Sequence, residues 1–173
     1  FMTDYQFSSL GTQYTALYSL EEDFIKEFAP SRTFCFYSEI EGMKKQGLIK
    51  GGGVDNALVF LDKEVDESEI DELKELLNID SDVFCGDNGI LNGVELRFPN
   101  EPVRHKALDL IGDLALLGIP IRGHVIAARS GHAANVELVK KIKSIFAKKL
   151  ALKKQQRENT TAQYDIRSIL QIL

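Results

Sequence analysis

Between two prolines, Pro102 and Pro120, the chain reads PVRHKALDLIGDLALLGIP, and this stretch narrows the fold more than any other. Val103, Ala107, Leu108, Ile111, Leu114 and Ala115 recur at helical spacing. The segment from about Pro102 to Leu117 is therefore predicted to be a helix that lays an apolar stripe on a sheet, ended by Gly118 and Pro120. His105, Asp109 and Asp113, each four residues from the next, form a second stripe beside the first. Gly112 lies near that face and leaves room for something to approach. A His and an Asp one turn apart can present an imidazole nitrogen and a carboxylate oxygen to one metal ion, with a third carboxylate free to orient a neighbour. The same spacing also suits an ordinary pair on a helix surface, and spacing alone does not choose.

The remaining composition bounds the class. A chain of 173 residues, 44% hydrophobic and 27% charged, suits one soluble globular domain, or one domain with an appendage. No apolar run is long enough to cross a bilayer and no signal-like segment opens the chain, so a cytoplasmic location is the default expectation. Cys35 and Cys85 lack a C-x-x-C partner and read as packing residues. From Leu138 to Arg157 there are seven lysines, one arginine and no acid. With few aromatics among them, these read as a solvated helix face, and no nucleic-acid partner is expected.

The alternating run DYQFSSLGTQYTALYS suggests strands, with Gly11 available for a bend or bulge. Ser19 with Glu22 fits a capping box for a short helix that ends at Pro30, and Ser38 with Glu41 fits a second, for a helix through about Gln46. RTFCF reads as a strand. Gly47 stops the second helix, and three glycines, Gly51 to Gly53, lead into a strand over Ala57 to Leu61. Asp66 to Leu77 reads as a surface helix, and GDNG and LNG mark turns among short strands from Val83 to Phe98. IRGHVIAAR is a predicted strand, Ser130-Gly131-His132 a turn, and a helix is expected from near Asn135 to about Leu152. KKQQRENTTAQ reads as a linker, after which YDIRSILQIL regains helical apolar spacing.

His132, in RSGHAAN, sits where a strand gives way to a helix and can be displayed into a cleft. A loop histidine is more often an ordinary polar residue, but here two histidines, two aspartates and Lys106 occupy polar positions around one strand. In that order RTFCF, GLIKGGGVDNALV, LRFPNEPVRHKALDLIGDLALLG and RSGHAAN closely resemble the second half of the zinc-dependent UDP-3-O-acyl-N-acetylglucosamine deacetylases, enzymes of lipid A biosynthesis in Gram-negative bacteria. The similarity covers about Asp4 to Ala151. The run between Asp62 and Arg97 and the tail YDIRSILQIL look like the form of this enzyme fused to a hydroxyacyl-carrier-protein dehydratase.

That resemblance implies His105 and Asp109 as zinc ligands, His132 as a protonated electrostatic or acid group, and Asp113 as the residue that orients it. Thr33 would stabilise the oxyanion formed as water attacks the amide carbonyl, Phe34 would lie beside the sugar, Lys106 would contact substrate phosphate, and Arg129 would sit near the nucleotide. Ile40, Gly53 and Val54 would line a passage for the acyl chain, although a glycine-rich loop is equally a flexible turn. The family's third zinc ligand, a histidine, and its glutamate base belong to the first half of the enzyme, so this chain is expected to carry half an active site. His124 shows no carboxylate pattern that would let it substitute.

The expected architecture is α+β, a two-layer sandwich with a mainly antiparallel sheet, helices on one face, and a small inserted helix and strand element at about 47–97. Residues 1–152 would form the deacetylase domain, 153–163 a linker and 164–173 the start of a dehydratase-like domain. The expected partners are the acylated UDP-sugar substrate, the enzyme's other half and the fused dehydratase. The alternative is a fragment that folds and binds without chemistry.

Overall fold

The computed structural model describes residues 2–4, 10–47, 57–77 and 82–170, a mixture of helix and strand. The chain divides into two compact units, Phe1–Leu110 with His124–Ser130, and Ile111–Gly123 with Gly131–Leu173.

In the first unit, β1 (Met2–Asp4) pairs antiparallel with β2 (Thr12–Tyr14), Met2 opposite Tyr14. Gly11, just before β2, takes φ +54°, a conformation glycine adopts without steric cost. α1 (Leu20–Asp23) starts at Ser19, whose Oγ accepts from the Glu22 N–H at 3.3 Å. The reciprocal half of the box comes from Asp23 rather than Glu22, its Oδ2 accepting from the Ser19 N–H at 3.1 Å. The helix continues as a wider π-type turn, Phe24–Phe28, in which the Ala29 N–H reaches the Phe24 carbonyl.

β3 (Thr33–Phe36), α2 (Tyr37–Lys45) and β4 (Ala57–Phe60) follow. β3 and β4 are parallel, Phe34 opposite Leu58 and Phe36 opposite Phe60, which departs from the antiparallel sheet expected. The reason is the helix between them: parallel neighbours need a long crossover and α2 provides it. Among the described strands, one pair is antiparallel and one parallel. As in other parallel pairs, both faces are covered. Val59 joins Ile40 of α2 and Leu73 of α3 (Glu67–Leu77), with Val83 and Leu91, on one side. Leu58, Phe60 and Ile90 meet Phe34 and Phe36 on the other. Cys35 lies half-buried against the first cluster, where desolvation, then Glu39 and Asp62, push its thiol up to about 11.

α2 begins at Tyr37, one residue before its expected cap, Ser38. Glu39 accepts from the Phe36 N–H, and Ser38 instead bonds to Asp62 through both its N–H and its hydroxyl. The α3 cap is a complete box between Asp66 and Glu69. The strands expected over Val83 to Phe98 are a tightly turned loop with two isolated bridges, Phe60 to Ile90 and Cys85 to Leu91. Gly89, Asn92 and Gly93 all take positive φ there, as the turn signals required. Cys85 is exposed on this loop, contrary to the packing role expected of it.

α4 (Glu101–Ala115) forms as expected, but Val103, Ala107 and Leu110 are its buried line; Leu108, Ile111 and Leu114 are half-buried and Ala115 is exposed. The segment IRGHVIAAR is not a strand. Its backbone makes a single bridge, at Ala128, rather than a continuous ladder, and Ile126 is 93% exposed.

In the second unit, α5 spans His132–Leu170, starting three residues earlier than expected and running through the stretch expected to be a linker. Near its start Asn135 and Val139 are buried. No helix among the described residues is long and apolar enough to cross a membrane.

Candidate functional site

The first cluster lies within the first unit, on α4 and the chain entering β3. His105 Nδ1 lies 3.0 Å from the Ser31 carbonyl oxygen, which can only accept, so Nδ1 carries the ring proton. His105 Nε2 then faces Asp109 Oδ1 at 3.4 Å, the two side chains being 16% and 19% exposed. The four-residue spacing on α4 brings them together. Among the described residues no third His, Cys, Asp or Glu joins them.

Lys106, one residue on, places its Nζ 5.6 Å from the centre of the Phe34 ring. That ring stands edge-on to Phe36 and Phe60 and is fixed by the core beneath it. Thr33 is exposed at the start of β3. Arg129 is exposed as well and takes φ +50°, an uncommon conformation for a side-chain-bearing residue, just before Ser130.

The entry to β3 is held by a residue that pattern reading missed. Glu101, the first residue of α4, is completely buried. Its Oε1 accepts from the Arg32 N–H at 2.8 Å and from Arg32 Nε at 2.9 Å. Oε2 accepts from Arg32 Nη2 at 2.9 Å and from the Arg97 N–H at 2.7 Å. Burial raises the Glu101 pKa, but the Arg32 and Arg97 bonds outweigh it and hold the carboxyl below its ordinary value. The same pairing raises Arg32. An acid at the start of a predicted helix reads as a dipole partner, and only a sequence search for a distant arginine could have suggested more.

The second cluster lies within the second unit. His132 Nδ1 is 2.9 Å from Asp113 Oδ2, and Asn135 Nδ2 donates to the same oxygen at 2.9 Å. Asp113 is mostly covered, whereas the His132 side chain is 69% exposed, so a fixed acceptor steers an accessible imidazole. Asn135, expected only near the start of a helix, thus shares the Asp113 carboxylate with His132. Its spacing from His132, one helical turn, was the available signal.

Three further residues were expected along the acyl passage. Ile40 is 2% exposed and packs in the core cluster with Val59, Leu73, Val83 and Leu91. Gly53 and Val54 lie outside the described residues. His124 is exposed.

The family model for UDP-3-O-acyl N-acetylglycosamine deacetylase matches residues 1–75 and 62–144. The chain is 49% identical to a protein of Chlorobaculum tepidum named bifunctional enzyme LpxC/FabZ, over 99% of the chain and 37% of that protein. It is 44% identical to a UDP-3-O-acyl-N-acetylglucosamine deacetylase of Chlamydia trachomatis, over 78% of the chain and 38% of the relative. The Chlamydia felis deacetylase is 42% identical, over 79% and 40%. The chain thus spans about two fifths of the length of these relatives. With the family model covering most of the chain and the motifs of both clusters lying inside the matched residues, the chain belongs to the UDP-3-O-acyl N-acetylglycosamine deacetylase family.

Proposed function

We propose that the chain carries part of the active site of a zinc-dependent amide hydrolase that deacetylates UDP-3-O-acyl-N-acetylglucosamine, the committed step of lipid A biosynthesis, in the cytoplasm. The observation that carries this reading is the His105 ring: with Nδ1 tied to the Ser31 carbonyl, Nε2 is left as a donor atom beside Asp109 Oδ1, 3.4 Å away. An imidazole nitrogen and a carboxylate oxygen suit zinc, and the fixed outer bond is the usual support of a metal-ligating histidine. Two donors are fewer than a catalytic zinc commonly takes, so a further ligand and the general base would come from the rest of the protein. Bound there, zinc supplies Lewis-acid polarisation of the amide carbonyl.

The chain's own residues would do the remainder. Asp113 accepts from His132 Nδ1, so the proton that His132 holds for the departing amine sits on Nε2. The Thr33 hydroxyl would donate to the developing oxyanion. Lys106 and Arg129 would meet substrate phosphates, and Phe34 would give the sugar an apolar wall. Residues 1–152 form the deacetylase portion in this reading, and the tail after 163 begins a dehydratase-like domain. The near-complete match to the bifunctional relative, against the shorter matches to relatives named only as deacetylases, supports that division.

Calorimetric zinc titration tests the assignments. Zinc binding is expected to disappear in His105→Ala and to persist in His132→Ala, while deacetylation by the full-length His132→Ala enzyme falls by about 100-fold or more. Zinc binding unchanged in His105→Ala would sink the metal assignment, and zinc lost in His132→Ala would sink the acid role.

A further inference from the structure

α4 grips one peptide unit of the chain at both ends. The N–H of the Ser31–Arg32 peptide donates to Glu101 Oε1 at 2.8 Å, and its C=O accepts from His105 Nδ1 at 3.0 Å. Glu101 and His105 are one turn apart on the same helix. The peptide is trans and planar, so fixing the direction of the N–H fixes that of the C=O. Glu101 cannot easily let go. It is fully buried and accepts four N–H bonds, the capacity of a carboxylate, and turning away would leave a buried charge opposite Arg32 unpaired.

We infer that Glu101 is a positioning residue for His105: by holding the Ser31–Arg32 peptide it fixes the Nδ1–H tautomer and leaves the Nε2 lone pair on the Asp109 side, ready for a divalent cation such as zinc. The consequence for zinc rests on the metal reading of His105 and Asp109; the tautomer does not. The buried carboxylate, which has no reach to a substrate, thereby acts on the site through one backbone carbonyl.

Nitrogen-15 spectra of the metal-free protein, labelled at histidine and recorded where imidazoles are neutral, read the tautomer directly. His105 is expected as Nδ1–H in the unmutated protein. In Glu101→Gln that preference is expected to be lost, and zinc affinity, measured by competition with a chromogenic chelator, to fall about 10-fold or more. Arg32→Lys lowers stability too, but it keeps the Glu101 carboxylate and the backbone N–H, and is expected to keep the tautomer. This separates positioning from general weakening of the fold. An Nε2–H ring in the unmutated protein overturns the inference even if Glu101→Gln does not fold. So does an Nδ1–H ring retained in Glu101→Gln, or one lost equally in Arg32→Lys. If the unmutated protein binds no zinc, the metal reading fails, and the tautomer still decides the role of Glu101.

Discussion

Glu101 shows how a buried charge makes a fold sensitive to acid. Its carboxyl is held below the ordinary glutamate value of 4.5 because the bonds from Arg32 and Arg97 outweigh the desolvation that opposes them. A group whose folded pKa is depressed stabilises fully above its unfolded pKa, and that stabilisation is lost as pH falls through the folded value. Urea midpoints are therefore expected to drop on acidification below about pH 4.5, and Glu101→Gln is expected to be less stable at neutral pH but to show a flatter acid limb. An equally steep acid limb in the variant would place the acid sensitivity elsewhere. His105, Asp109, Asp113 and His132 were legible in the sequence because helical spacing and a turn signal bear on them directly. Glu101 was not, since its partner Arg32 is 69 residues away and nothing local records that contact.

At the level of elements, the short turns carry constraints that a periodicity cannot express. A methyl group on Gly86 would lie 2.3 Å from Gly93 Cα and 2.5 Å from the Ile90 carbonyl oxygen, both backbone atoms that side-chain motion cannot relieve. Gly112, inside α4, has nothing within 4 Å of the same position. Gly86→Ala is expected to destabilise by about 1–3 kcal/mol and Gly112→Ala to stabilise by up to ~1 kcal/mol, because the first forces backbone apart while the second only removes a helix-breaking residue. Denaturant unfolding of both checks the pair, and the same sign for both would contradict it. The helices and the strands β3 and β4 were legible from caps, glycines and apolar runs. Pairing direction was not, because it depends on recognising α2 as a crossover. Nor was the reduction of IRGHVIAAR to a single bridge at Ala128, since its apolar and β-branched residues specify strand preference but not how many residues a neighbour pairs with.

Across the whole molecule, tertiary support is uneven, and α5 shows it most clearly. Asn135 and Val139 are buried and Ile142 is half-buried, but from residue 143 to residue 159 every side chain is exposed. That stretch includes Ile145, Phe146, Leu150 and Leu152, each about half exposed, together with the lysines and arginine whose solvated face the sequence implied. An isolated helix in water gains little from propensity alone, and most helix stability in proteins comes from a packed apolar face. The first three turns of α5 have that face and also carry His132 and Asn135, which meet Asp113. Between residues 143 and 159 the exposed side chains make interactions such as that of Lys154 with Glu158, 3.9 Å apart and open to solvent, which contributes little. Amide hydrogen exchange is therefore expected to divide α5 near Ile142. Amides before it should be protected through the same openings as the Asp113 cluster, and amides after it should exchange orders of magnitude faster. Uniform protection along His132–Leu170 would mean that the later turns are covered in solution, and the apolar residues from Ile145 to Leu152 would then be the surface to which that cover binds.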